Sequence, residues 1–138
     1  MAIFIPNAGL LQFLQGRIDK GALKQATLHA YKSAHIMDPG DVTLTFLGIE
    51  CDFAGYSSQT INDWGSAAMS GIAARSVAGT YTFTATGSGL PQSVYGIFVL
   101  NKTGHLLYAE ECPSGPVPLT AAGDQFLYKP AFSERNFT

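Results

Sequence analysis

The sequence predicts an all-β fold: an antiparallel β-sandwich, jelly-roll-like, with one short N-terminal helix. Three observations lead there. Only one stretch, near residues 8–19, repeats its apolar residues at helical spacing. Several later stretches alternate apolar and polar residues with period two, the spacing that lays one face of a strand on a core. Asn, Asp, Gly and Pro interrupt these stretches at short, regular intervals, as in sandwiches and barrels and unlike the helical crossovers of βαβ folds. The 138 residues suit one domain with one hydrophobic core. Its parts are an N-terminal arm at residues 1–6, the helix at 8–19 and the sandwich at 25–132.

The elements follow in order. Ile3-Phe4-Ile5 is extended and ended by Pro6. It suits either an arm that docks on a neighbouring molecule or a first strand of the same sheet. Asn7 is a helix N-cap, since its side chain can accept from the free N–H groups of a first turn. Leu11, Leu14 and Ile18 then form an apolar stripe that stops near Gly21. Ala26, Leu28 and Ala30 alternate with Thr27, His29 and Tyr31 as a strand. His35 to Asp41 is a loop, with Asp38-Pro39-Gly40 as its turn signal. Val42 to Leu47, β-branched and apolar, reads as a strand, and Ser57 to Asn62 as another.

Residues 80–86 give the cleanest alternation, with Tyr81, Phe83 and Ala85 facing the core and the threonines facing out. Ser93 to Leu100 is almost continuously apolar, as a central strand covered on both faces would be. Asn101-Lys102-Thr103-Gly104 is a tight turn, and His105 to Glu111 the return strand. Pro113, Pro116 and Pro118 mark a loop or extended edge, and Asp124 to Phe132 is the last strand. Trp64, Phe83, Ile97 and Phe98 are expected in the core. No element is assigned to residues 68–78.

Composition restricts the function. Hydrophobic residues make up 46% and charged residues 13%, against a usual charged share of about 25%. So neutral a surface suits a chain whose surface is covered by a partner; a Thr/Ser/Gly-rich β surface with no partner fits as well. The net charge is −2 and the eight Lys and Arg are scattered, so no row of phosphates would be neutralised and nucleic acid is not an expected partner. Cys51 and Cys112 are too few for a disulfide scaffold and are expected as free thiols. The N-terminus has no basic region before its apolar residues, and no apolar run approaches the roughly 18 residues of a membrane span. The expectation is therefore no secretion signal, no membrane partner and synthesis in the cytoplasm.

No local catalytic device is present: no Ser stands in a Gly-x-Ser-x-Gly elbow, and Gly87-Ser88-Gly89 joins two strands instead of opening a helix. His29, His35 and His105 lack the spacing of a zinc site and read as strand-face and loop residues. Asp38 and Asp41 supply only two oxygens toward a calcium site. Glu50-Cys51-Asp52 and Glu110-Glu111-Cys112 place acids beside thiols. Neighbours on a strand point to opposite faces, so these read as solvated carboxylates. The sequence therefore assigns no catalytic residue, cofactor or metal. Tyr56, Trp64, Tyr81, Tyr95, Tyr108 and Tyr128 suit core and cross-strand packing, with stacking on a sugar as the alternative.

Three stretches occur in a fixed order: Met1-Ala2-Ile3-Phe4-Ile5-Pro6-Asn7-Ala8-Gly9 before a Leu-rich helix; Phe53-Ala54-Gly55-Tyr56 with Trp64 downstream; and Val94-Tyr95-Gly96-Ile97-Phe98-Val99, a turn, then Leu106-Leu107-Tyr108-Ala109-Glu110. Together they resemble a family of small proteins encoded among the virion genes of tailed phages. The chain also looks like the jelly-roll cement, or decoration, proteins that clamp capsid subunits from outside. The resemblance implies a non-enzymatic virion structural protein on the outer capsid surface, made in the host cytoplasm. Its implied partners are the major capsid protein and further copies of itself, as a homo-oligomer with a dimer favoured over a trimer. Ile3, Phe4 and Ile5 would form the capsid-docking arm. The alternatives are a tail or receptor-binding module for host glycan, marked by exposed coplanar aromatics, and a small enzyme, marked by a His–acid or Cys–His pair converging in a pocket.

Overall fold

The structure, a computed structural model, describes residues 3–9, 24–65, 68–70 and 73–135. The chain is mostly β, built from antiparallel sheets with only small helices. The strands are β1 (Ala26–Tyr31), β2 (Gln59–Ile61), β3 (Ala68–Ser70), β4 (Ala73–Val77), β5 (Tyr81–Thr84), β6 (Gln92–Val94), β7 (Gly96–Leu100), β8 (Leu106–Glu111), β9 (Val117–Leu119), β10 (Gln125–Tyr128) and β11 (Ala131–Arg135). One short helix, α1 (Thr43–Leu47), lies between β1 and β2. Residues 7–9 are also helical, beginning at Asn7 itself, one residue earlier than its expected role as cap. The rest of the helix expected over 8–19 lies outside the described residues. Among those described, no helix is long and apolar enough to cross a membrane.

The largest sheet runs β2-β1-β7-β8, and every pairing in it is antiparallel. β1 explains its position. Ala26, Leu28 and Ala30 bury one face in the main core, while His29 and Tyr31 are buried on the other. β7 is buried at all five positions, as expected of a central strand covered on both faces. It is joined to β8 through the expected turn, in which Gly104 has φ +90°. The register steps from Val99↔Tyr108 to Leu100↔Leu106, so Leu107 is an extra residue in β8. This bulge puts Leu107 and Tyr108 together in the main core. Three smaller sheets, β10-β5, β11-β4-β3 and β6-β9, complete the pairing.

The main core gathers Phe53, Ile61, Phe83, Val94, Leu119, Phe126 and Phe132 against one face of the large sheet. A second cluster, Tyr31, Phe46, Phe98, Leu100, Leu106 and Ala109, covers the other face. Phe46 of α1 stacks on Phe98 at 5.3 Å and tilts on Tyr31 at 5.3 Å, so the loop between β1 and β2 folds over this face. Gly96 makes that approach tight. A Cβ there would lie 2.5 Å from Tyr31 Oη and 2.4 Å from the Glu110 carbonyl oxygen.

Several expectations need correction. Val42 to Leu47 is not a strand. Residues 43–47 form α1, because one helical turn lets Phe46 enter the second cluster while the Val42 N–H donates to Thr45 Oγ1 at 3.1 Å. Ser93 to Leu100 splits at Tyr95 into β6 and β7, which join different sheets. Asp124 to Phe132 splits into β10 and β11 at Pro130, which lacks the N–H a continuous ladder needs. Residues 68–78, to which no element is assigned from sequence, supply β3 and β4; β3 pairs with β4, and β4 with β11. Trp64 is half-buried against the main core, whereas Phe83, Ile97 and Phe98 are fully buried.

Phe83 stacks on Tyr56 at 5.4 Å and on Phe126 at 6.2 Å, inside the main core. Phe83→Ala should therefore cost about 3–5 kcal/mol in urea unfolding. A loss under about 1 kcal/mol would mean that the ring does not pack as described.

Candidate functional site

The most connected polar group forms where the edge of β1 changes partner. β2 pairs with β1 only as far as Leu28↔Gln59, and the chain at 49–51 takes over beyond it. There Lys32 N–H donates to the Ile49 carbonyl at 2.8 Å and Cys51 N–H to the Ala30 carbonyl at 2.9 Å. In the gap between them, Ala30 N–H donates to Tyr56 Oη at 3.0 Å, so a side chain replaces a ladder bond. Tyr56 O–H in turn donates to Glu50 Oε2 at 2.6 Å. His29 Nδ1 lies 2.6 Å from the same oxygen, and His29 Nε2 lies 2.8 Å from Thr27 Oγ1. His29 is only 8% exposed and its ring stacks on Phe98 at 4.7 Å.

Charge decides the protonation within this group. Burial alone would raise the Glu50 carboxyl, but hydrogen bonds from His29 and Tyr56 outweigh it and hold the group below its ordinary value. Glu50 is then an acceptor, so His29 Nδ1 carries the proton toward it. Burial, then the bond to Glu50, pushes the Tyr56 hydroxyl upward and keeps it neutral. Thr27, His29 and Glu50 thus have the order of a hydroxyl–base–orienter chain.

A cleft of about 420 Å³ lies elsewhere, between the start of β7, the end of β8 and β10. Ile97, Val117 and Phe126 make much of its lining, with Glu110, Cys112, Tyr128 and Lys129 as polar groups. His29, Glu50 and Thr27 do not line it. Glu110 is 7% exposed, which corrects the expectation of a solvated carboxylate; Glu111 beside it is exposed, as alternation requires. Burial raises the Glu110 carboxyl, and the hydrogen bond with Tyr128 only partly opposes this. Glu50 is likewise half-buried and bonded, while Asp52 is exposed and pairs with Lys32 at 2.8 Å.

The remaining candidates are dispersed. His35 sits in its loop, with Nε2 2.8 Å from Asp41 Oδ2. That same oxygen accepts the Asp38 N–H, so it closes a turn. His105 is exposed at the β7–β8 turn. Among the described residues no three of His, Cys, Asp and Glu gather as metal ligands would. Both thiols are free; burial pushes Cys51 up to about 12 and raises Cys112. Tyr108 is buried, and Tyr56, Trp64, Tyr81, Tyr95 and Tyr128 are half-buried. Phe4 exchanges two 3.0 Å backbone bonds with Ala109 of β8, and Ile3 and Ile5 pack on the main core. A single bridge at Phe4 thus holds Ile3 to Ile5 against β8.

What the sequence did not mark is an exposed apolar surface on the segment over the second cluster. Ile36 is 91% exposed and Leu44 77%, with Val42 and Leu47 exposed beside them. Comparison with protein families, curated proteins and solved structures gives no match to this chain.

Two variants test the polar groups. Tyr56→Phe leaves the Ala30 N–H without its partner and removes a donor from Glu50, and should cost about 1–3 kcal/mol. Glu110 binds its proton more tightly folded than unfolded, so its contribution is full in acid and is lost as pH rises through its raised value. Glu110→Gln should therefore stabilise the protein at pH 7 relative to wild type, with the gain vanishing below the ordinary carboxyl range. Urea midpoints across pH check both; a loss at pH 7 for Glu110→Gln would show an ionised, well-partnered carboxylate instead.

Proposed function

We propose that this protein is a virion structural protein of a tailed phage, of the cement or decoration kind. It binds the outer face of the head and bridges major capsid subunits. In this reading its sheets stack as a jelly-roll-like sandwich, it works as a homo-oligomer, and it catalyses nothing. The observation that carries the reading is the exposed apolar segment at Ile36, Val42, Leu44 and Leu47. Large aliphatic side chains exposed along one segment of a chain with 13% charged residues fit a surface that a protein partner covers. The ordered likeness to small virion proteins supplies the partner. A specific contact of about 1,600 Å², repeated around a shell, adds resistance to internal pressure without new chemistry. Ile3, Phe4 and Ile5 are then a second docking element only if they leave β8 on assembly.

Purified particles test this by quantitative gel analysis. A cement protein should be present in proportion to the major capsid protein, and heads lacking it should break at lower temperature or milder osmotic shock. Adding the purified protein should restore them. The double variant Ile36→Asp, Leu44→Asp should fold normally, because both side chains already face water, yet fail to bind. A handful of copies per particle would place the protein in the tail or neck and overturn the reading.

A further inference from the structure

Among the described residues, β10 presents an unpaired edge. Ala85 N–H donates to the Asp124 carbonyl at 2.9 Å, and the β10–β5 register extends that pair through Phe126↔Phe83 and Tyr128↔Tyr81. Alternation in an antiparallel ladder therefore turns the N–H and C=O of Phe126 and Tyr128 toward β5. Those of Gln125, Leu127 and Lys129 turn away from it. The opposite strand agrees: the Thr82 carbonyl, paired in register with Leu127, points away from β10 and accepts Gln59 Nε2 at 2.7 Å. Among the described residues, no backbone bond is made to the outward groups of Gln125, Leu127 or Lys129.

This edge is lightly guarded. Natural edge strands are blunted by short length, a central charge, a proline, a bulge or a covering loop, and of these β10 has its length of four residues. Here the central residue is Leu127, 57% exposed, and Lys129 and Pro130 stand only at the end. Residues 126–129 also border the cleft of about 420 Å³, whose other wall includes Glu110 to Gly115 and Val117 of the same chain. The outward series Gln125, Leu127, Lys129 is self-complementary. A twofold axis through Leu127 sets leucine against leucine and each Gln125 amide against a Lys129, with no like charges opposed.

We propose that β10 pairs antiparallel with β10 of a second copy, joining two β5-β10 ribbons into one four-stranded sheet across a dimer. This gives the homo-oligomer of the proposed function its contact surface. It concerns the protein in free solution, so it holds or fails separately from binding to any particle.

The test is sedimentation equilibrium of the whole chain at concentrations up to about 100 μM. Wild type should be a dimer. Leu127→Lys places two ammonium groups together at the axis and should weaken association tenfold or more, with an unchanged far-UV spectrum. Leu44→Lys, on the separate exposed segment, should leave the dimer intact. Should Leu127→Lys fold poorly, hydrogen exchange in wild type decides the matter. The Leu127 amide should exchange slowly at high concentration and quickly on dilution. A monomeric wild type, a Leu127→Lys dimer as tight as wild type, or a Leu127 amide that exchanges quickly at every concentration would each overturn the proposal. The first of these would leave the edge to an extended segment of a different chain.

Discussion

The structure depends on one constraint: the β1–β7 pair is covered on both faces. Leu28 and Ala30, with Ile97 and Val99, serve the main core, and Tyr31 and Phe98 serve the second cluster. A sheet solvated on one face could leave His29 in water. Here the imidazole lies under the loop that carries α1, stacked on Phe98, and its ring nitrogens need partners. Glu50 and Thr27 supply them. Glu50 is available because residues 49–51 extend the β1 edge after β2 stops. Tyr56 closes the junction by bonding both the Ala30 N–H and the Glu50 carboxylate. A single polar chain thus joins strand edge, covering loop and core, since the Tyr56 ring also stacks on Phe83.

Local patterns made much of the sheet legible. The alternation that gives β5, the Gly96–Leu100 part of the apolar run and the turn at Gly104 each depend on neighbours within a few residues, and each appears where it was expected. The failures have a common physical form. Val42 to Leu47 has the composition of a strand, but Phe46 gains more by reaching the second cluster from a helical turn. Pro130 divides one apparent strand, and its effect depends on which side of the ladder must donate. β4 is set by pairing with β11, over fifty residues downstream, and β3 only by pairing with β4; strands this short carry little signal of their own.

The candidate site was less legible, because its contacts are distant in sequence. His29 and Glu50 are 21 positions apart, and nothing in either neighbourhood points to the other. Glu110 reads as one of two adjacent acids; that it is the inward one follows from the β8 register, Glu110↔Ile97, which the sequence fixes only through a bulge two to three residues earlier. The exposed side chains of Ile36 and Leu44 were hidden for the opposite reason. Apolar residues in a β-rich chain are assigned to the core by default, and only a three-dimensional arrangement shows which ones the core has no room for.

The Thr27–His29–Glu50 chain has the order found in hydroxyl nucleophiles, and its setting argues for a structural role. Thr27 and His29 are two apart on one strand, so their contact follows from strand periodicity alone. The Glu50 oxygen that orients His29 is shared with Tyr56, which is tied to a backbone N–H. The cleft lies against other residues, and the thiol nearest this group, Cys51, is held near 12 by burial, far from a thiolate at neutral pH. At this junction the polar bonds close the edge of β1, while large aliphatic side chains stand exposed elsewhere, at Ile36, Val42, Leu44 and Leu47 and at Leu127 of β10.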